Sequence, residues 1–407
     1  MTMQQATVPA QPGLFDPAVR ADPYPLYAAL RESSPVLPLM PGNSAFLRHA
    51  DCARILRDAD FGKDFEGHVS PRRADAPPLT SVAVRGLSRS MLTRDPPDHT
   101  RLRSIVVRAF TARRVEELRP RIAQIIDDLI DAVEPQGEMD LIGAFSHQLP
   151  VIVICDMLGV PDSDRDRFLG DYRVGGRLLD PVPLSADELA RADEAALEMR
   201  DYWESLFDRR AADPGDDLVS ALMAVEDAHD GRLTRDELAS NINLLFAAGH
   251  ETTTNLIGNG MIAFARFPDQ WRRLVADTSL AANAAEEMLR FDSPVQLTGR
   301  KVFQDCEIGG QQLKRGEHAT CVIGAANRDP AVYDNPEAVD ITRKGIKILS
   351  FGGGIHFCLG AQLARTEAEL AFRRLAERLP GIAIDPQAIE WRDSITLRGA
   401  KRIPASW

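Results

Sequence analysis

Cysteine is scarce and unpaired in this chain of 407 residues: Cys52, Cys155, Cys306, Cys321 and Cys358 form no CxxC, and their number is odd. Such a set argues against a disulfide framework or a zinc knuckle and predicts free thiols in a reducing compartment. Long apolar runs are also missing; the richest, Leu149 to Val160, falls short of the roughly 20 residues that a bilayer span requires. The first residues lack a basic start and an apolar signal core, so no export signal is read and the cytoplasm is the expected location. Against a formal net charge of −12 no long basic run stands out, which argues against nucleic acid as a partner. No strand–helix alternation and no internal period are present, which disfavours a doubly wound sheet and a repeat architecture.

What is present is ordinary in bulk, 44% hydrophobic and 27% charged, and mostly helical in pattern. Amphipathic stretches run from Tyr24 to Ser33, His99 to Phe110, Val115 to Val133, Ala186 to Arg209, Arg235 to Arg266, Pro268 to Ala276, Leu280 to Phe291 and Gly360 to Leu379. Strand-like material is confined to the first 60 residues and the region after Pro294, with turns at Gly309-Gly310 and Arg315-Gly316. From Gly62 to Arg89 a long irregular connection is expected, of a length that often serves as a lid or binding loop.

Between Ser350 and Gly360 the chain reads SFGGGIHFCLG, after a strand-like KILSF and before the helical AQLARTEAELAF. A thiolate needs a helix start, a cation or a metal to compensate its charge. Cys358 stands just ahead of a helix whose first amides can point at its sulfur, which favours ionisation. Gly352, Gly353, Gly354 and Gly360 permit tight turns and the close approach of a flat ligand. On residue types alone, a glycine-rich turn with an incidental buried cysteine stays open, and His356 is too near in sequence to be assigned as a protease-type base.

A second stretch conflicts with its own helix. In LLFAAGHETTTNLIGNG, from Leu244 to Gly260, an apolar stripe at helical spacing encloses Gly249 and three threonines. Glycine costs about 1 kcal/mol against alanine in a helix, and such conflicts are expected at functional sites. A threonine hydroxyl that bonds back one turn loosens the ladder and opens a groove for water or a small molecule. His250-Glu251 does not begin a zinc-binding HExxH, because Thr254 stands where the second histidine belongs. A threonine-rich patch in a core helix is the alternative. Two other pairs are weaker alone: Glu287 and Arg290 share a helix face, and His99 and Arg103, one turn apart, are able to clasp a carboxylate. Solvated surface charges produce the same spacing.

The pattern F-G-G-G-x-H-x-C-x-G resembles the haem-binding loop of the cytochrome P450 family, and A-G-H-E-T-T resembles that family's oxygen-activation segment. With E-x-x-R and the stretch RDPPDHTRLR, the resemblance covers nearly the whole chain in the family's order. It implies a mainly α cytochrome P450 fold with a smaller β region, a single domain over 1–407 with a long central helix over the haem. The β-rich portions then fall at roughly 35–60, 295–325 and 380–407, and the helix-rich ones at roughly 95–290 and 360–379. The implied cofactor is haem b, with Cys358 as axial ligand of its iron, Phe351 and Gly360 beside the ligand loop, and His99, Arg103, Arg300 and His356 toward the propionates. Ala248 leaves space over the ring, while Glu251 and Thr252 become the acid and alcohol that handle protons. Glu287 and Arg290 become a structural ion pair. The third member of that set, an arginine in the family, is Ala338 here, so Arg343 or Arg328 must stand in.

The implied activity is a haem-thiolate monooxygenase that hydroxylates or epoxidises an apolar small molecule, lipid-, terpenoid-, steroid- or polyketide-like. It uses O2 and electrons from an external ferredoxin and an NAD(P)H-dependent ferredoxin reductase. A peroxide-dependent peroxygenase and a haem-binding sensor are the alternatives, and the acid–alcohol pair argues against both. A monomer with no nucleic-acid or membrane partner is expected. Pocket walls are expected from Leu79, Val82 and Leu87 in the irregular connection, and from Leu179, Leu244, Ala248, Val295, Leu297 and Ile395. Arg101, Arg103, Arg108, Arg113, Arg114, Arg365, Arg373 and Arg374 are expected to make the cysteine side positive and to steer an acidic redox partner there.

Overall fold

The computed structural model describes residues 13–63, 80–169, 172–182, 184–224 and 233–407. Its helices are α1 (Tyr24–Ser33), α2 (His49–Arg57), α3 (Val82–Ser88), α4 (Asp98–Ala109), α5 (Ala112–Val133), α6 (Gln148–Leu158), α7 (Ala186–Ala212), α8 (Leu218–Ala224), α9 (Arg235–Arg266), α10 (Pro268–Ala276), α11 (Ala281–Phe291), the short α12 (Ile323–Ala326) and α13 (Ala361–Arg378). The strands are β1 (Val36–Met40), β2 (Asn43–Phe46), β3 (Phe61–Gly62), β4 (Glu138–Asp140), β5 (Leu297–Val302), β6 (Cys306–Ile308), β7 (Gln311–Leu313), β8 (His318–Val322), β9 (Ala383–Ile384), β10 (Glu390–Trp391), β11 (Ala400–Arg402) and β12 (Pro404–Ser406). The largest sheet has the order β1-β2-β8-β5-β3, with β2 and β8 parallel and its other pairs antiparallel.

The helix α9 is the axis of the molecule. Thr234 and Glu237 close a reciprocal capping box at its start, and Glu237 also pairs with Arg101 of α4. At 32 residues the helix is roughly 48 Å long. From His250 to Phe264 every residue except Thr252 is buried, the signature of a helix enclosed on all sides; α6, α7, α11 and α13 pack around it. Close approach explains Gly260, where a Cβ would meet the Phe372 ring at 2.4 Å.

Several expected elements lie where the pattern puts them: α1, α9 and α10 keep the bounds read from the sequence. Four expectations are corrected. Strand is not confined to the first 60 residues and the region after Pro294, since β4 pairs with β12. The first 60 residues hold the helix α2 as well as strands. The connection after Gly62 is not irregular throughout, since Ser81 caps the helix α3 by accepting from Val84 N. KILSF is not a strand. Its apolar side chains read as one, yet its backbone is satisfied by side chains: Leu349 N donates to Asn327 Oδ1 at 2.8 Å, Lys347 N donates to the Tyr333 hydroxyl at 3.1 Å, and the Lys347 carbonyl lies 2.7 Å from His49 Nε2.

The Glu287–Arg290 pair is fully buried, with 2.8 Å contacts from both Arg290 Nε and Nη2. Arg343 is the third member, its Nε 3.2 Å from Glu287 Oε2. Ala338 still takes part through its backbone, accepting from Arg290 Nη2 at 2.8 Å. Arg328 is used elsewhere, stacked 3.4 Å from the Tyr24 ring centre and 3.7 Å from that of Phe291, with Glu337 at 2.7 Å. Removing the shared carboxylate leaves two guanidiniums without their counter-charge. Glu287→Gln is therefore expected to cost about 3–5 kcal/mol, and Arg343→Met roughly 1.5–3 kcal/mol because Arg290 still compensates Glu287. Urea unfolding midpoints check the order; equal midpoints for the two variants would refute it.

Candidate active site

The cysteine loop is closed by its own backbone. Gly352 N donates to Leu349 O at 2.8 Å, Phe357 N to Gly354 O at 3.1 Å and Cys358 N to Phe351 O at 2.9 Å. Gly354 has φ +62°, and a Cβ there would stand 2.7 Å from the Leu56 carbonyl oxygen of α2. This glycine serves the turn and its packing, and Gly353 likewise faces Leu56 and Arg57. The expectation that all the glycines clear room for a flat ligand is thus corrected: Gly360 is the one of the four with nothing within 4 Å of the added carbon. From α4, Arg103 Nη2 donates to the Phe357 carbonyl at 2.6 Å. From α13, Arg365 stacks on the Phe351 ring at 4.4 Å.

The Cys358 sulfur opens onto a cavity of about 750 Å³ inside the protein, so it is accessible from the cavity although protein surrounds it. Burial pushes this thiol up; the Gly360 amide and the guanidiniums of Arg103 and Arg365 pull it down by less. The helix start therefore lowers the thiol by less than burial raises it; a coordinated metal cation would favour the thiolate.

On another wall of the same cavity α9 presents Ala247, Ala248, Glu251 and Thr252. Thr252 Oγ1 donates back to the Ala248 carbonyl at 2.8 Å, and Thr254 does the same to His250. The Glu251 carboxylate is buried, 3.5 Å from Arg392 Nη1, and packs so closely on Gly176 that a Cβ there would lie 2.5 Å from its Oε2. Val82, Leu87, Leu179, Leu244, Ala248, Val295 and Leu297 line the cavity, as do Arg103, Arg300, Phe351, His356 and Gly360. Ile395 does not; it packs toward Leu14, Tyr24 and Leu297, while Thr396 and Leu397 reach the cavity from that segment. Leu79 lies outside the described residues.

Beside the cysteine loop is a cluster the sequence reading saw only in part. His99 stands behind His356, ring centres 4.4 Å apart. Burial, then the neighbouring His356 and Arg103, pull His99 down to about 4, and burial also lowers His356. The Nε2 atoms of both rings are buried and make no hydrogen bond among the described residues. Next to them are Arg300 and, unforeseen, Lys63, whose Nζ donates to Gly299 O at 3.1 Å; burial first, then Arg300, hold its ammonium well below the usual lysine range. Asp95 supplies the nearby negative charge, 3.7 Å from His356 Nε2. Two cations and two orphaned ring nitrogens around one carboxylate suit a ligand that brings its own anionic groups, as the haem propionates would, and the soft Cys358 sulfur across the cavity floor suits its iron.

Comparison with known proteins decides the family. The chain is 40% identical to cytochrome P450 monooxygenase PikC of Streptomyces venezuelae over 99% of its own length and 96% of that protein's. It is 41% identical to vitamin D(3) 25-hydroxylase of Pseudonocardia autotrophica, covering 97% of this chain and 96% of the relative. The chain belongs to the cytochrome P450 family. A family model described as Cytochrome P450 matches residues 189–379. The structure of myxobacterial cytochrome P450 CYP267B1 in complex with myristic acid superposes with a TM-score of 0.88 at 40% identity, over 98% of this chain and 99% of that one. This P450 is thus a haem b monooxygenase with the family's fold. No helix among its described residues is long and apolar enough to cross a membrane.

The expected positive face of this P450 is largely neutralised within the chain. Arg101 pairs with Glu237, Arg113 with Glu117, Arg114 with Asp216, Arg365 with Glu286, Arg373 with Glu369 and Arg374 with Glu377. Arg108 makes no ion pair among the described residues, its neighbour Val107 is exposed, and Ile355 of the cysteine loop is exposed as well.

The thiol environment has a measurable consequence. In haem-free protein, iodoacetamide is expected to label Cys358 ahead of the fully buried Cys52, Cys155 and Cys321, with a rate that rises through a midpoint above the ordinary thiol value. Mass-spectrometric mapping across pH reads both; a midpoint below that value contradicts the burial argument.

Proposed function

We propose that Cys358 is the axial ligand of the haem iron, with Glu251 and Thr252 as the proton-handling pair, and that the enzyme hydroxylates or epoxidises an apolar molecule of steroid, terpenoid, lipid or polyketide type. The observation that carries this reading is that Cys358 and the Ala248–Thr252 turn face one cavity. Bound there, haem b supplies oxygen activation that no side chain can perform. Arg103 steadies the ligand loop through the Phe357 carbonyl, and Phe351 backs it under Arg365. Arg103, Arg300, His356 and Lys63 receive the propionates, with His99 backing His356. Glu251 relays protons from outside the cavity, its resting position set by Arg392. The Thr252 hydroxyl, whose own hydrogen is committed to Ala248 O, keeps its oxygen available to accept a proton-bearing water.

Leucine, valine and alanine side chains dominate the walls named above, which supports an apolar substrate, and relatives named for vitamin D(3) and for 6-deoxyerythronolide B are consistent with that class. Electrons come from a separate ferredoxin and its NAD(P)H-dependent reductase, and the enzyme works as a cytoplasmic monomer. Since most arginines on the cysteine side are already paired, ferredoxin docking relies on Arg108 and exposed apolar groups, Val107 and Ile355, more than on a broad positive field.

The reduced, carbon-monoxide-bound spectrum tests the ligand: wild type shows the thiolate-type band and Cys358→His loses it while keeping haem. With a surrogate ferredoxin, Glu251→Gln is expected to slow turnover about 10²-fold, and Thr252→Ala to consume electrons while releasing hydrogen peroxide in place of product. Full coupling in Thr252→Ala, or equal rates with peroxide alone, overturns the proton-pair assignment.

A further inference from the structure

Two polar side chains of α9 face the cavity unengaged, away from the cysteine loop. Ser240 and Asn243 line the cavity, neither is fully buried, and neither makes a hydrogen bond among the described residues. They lie on the face that carries Leu244, Ala247, Ala248 and Glu251, spaced by three and four residues. The helices α3 and α7, which pack on α9, line the cavity with Val84, Leu87, Ala196 and Met199, and Arg200 of α7 pairs with Asp201. Charge at this end is already matched: Arg89 pairs with Asp236, one turn before Ser240, and Arg85 is also engaged. The free recognition capacity is thus an amide and a hydroxyl, each able to donate and accept, in a locally neutral setting.

Resting on the monooxygenase reading above, we propose that Asn243, assisted by Ser240, is a specificity determinant that binds a neutral oxygen function of the substrate, a ketone, hydroxyl or ester. Helix geometry gives the spacing. Asn243 precedes Ala248 by five residues and Thr252 by nine, which is roughly 8 Å and 14 Å along the axis at 1.5 Å per residue. The substrate is therefore an elongated apolar molecule whose oxygen lies about 8–14 Å from the carbon that is oxidised. A pure hydrocarbon leaves the Asn243 amide without a partner once water is expelled, and a carboxylate finds no free cation beside it among the described residues. Both are disfavoured.

Matched ligand pairs test this with the haem-loaded enzyme, following the Soret shift as ligand enters: androstanone against androstane, tetradecanol against tetradecane, and farnesol against farnesane. In wild type, the oxygenated member of at least one pair is expected to bind about tenfold tighter, the scale of one buried hydrogen bond. In Asn243→Leu that preference falls to within about twofold while hydrocarbon affinity is kept or raised, and Ser240→Ala loses part of it. If Asn243→Leu does not load haem, Asn243→Val provides the same comparison. A wild type that prefers no oxygenated member, or binds none, overturns the proposal, as does a preference that survives the loss of Asn243. Failure of the underlying reading shows itself differently, as a wild-type carbon monoxide spectrum without the thiolate band.

Discussion

The arrangement depends on one buried carboxylate. Glu287 accepts both Arg290 and Arg343 and also the Asp340 amide at 2.9 Å, so the last turn of α11 is tied to the irregular segment that precedes the cysteine loop. Arg290 extends the tie to the carbonyls of Pro336 and Ala338. From there Asn327 and Ser350 continue it: the Asn327 side chain donates to Ser350 Oγ at 2.8 Å, and Ser350 Oγ donates to Leu289 O at 2.7 Å. A segment with no strand partner is thus held by charge and side-chain hydrogen bonds, and the loop that carries Cys358 inherits its position. Ion pairs this deep contribute little net stability compared with apolar packing; they matter here because the geometry they impose is unique and costly to break.

Around that anchor the cavity gathers groups that are poorly satisfied by the chain alone. Burial raises the Cys358 thiol, burial and then Arg300 lower Lys63, burial lowers Arg300, and the Nε2 atoms of His99 and His356 make no hydrogen bond among the described residues. A metalloporphyrin with two carboxylates would answer all of these together, and its binding would then be coupled to the stability of the loop and of the neighbouring ends of α4 and β5. On α9 the compromise is of another kind: glycine and back-bonded threonines sit in the middle of an otherwise buried helix, and the packing of α6, α7, α11 and α13 carries the cost.

Local signals were read where chemistry and periodicity act over short distances. The turn glycines at 309, 310 and 316 and the long amphipathic helices follow from residues within a few positions of one another. Cys358, Glu251 and Thr252 stood out as candidates because their neighbours break ordinary rules. Lys63, Asp95 and Asn243 carried no such signal. A lysine after a short strand and an asparagine on a helix are common anywhere, and only folding brings the first beside Arg300 and turns the second toward a cavity. Arg343 was one of two candidates, and what separated it from Arg328 was reach: Arg328 is captured by the rings of Tyr24 and Phe291 before it can approach Glu287.

The amino-acid sequence by itself determined that the protein is helical, that one cysteine stands ahead of a helix in a glycine-rich turn, and that an acid and an alcohol interrupt the longest helix, because each of these is a property of residues adjacent along the chain. Tertiary structure alone decided that the sulfur and the acid–alcohol pair share a cavity, that burial outweighs the helix start at the thiol, and which arginine completes the buried set. Those outcomes depend on distances between segments far apart in the chain and on the water excluded between them, neither of which is written in the order of residues.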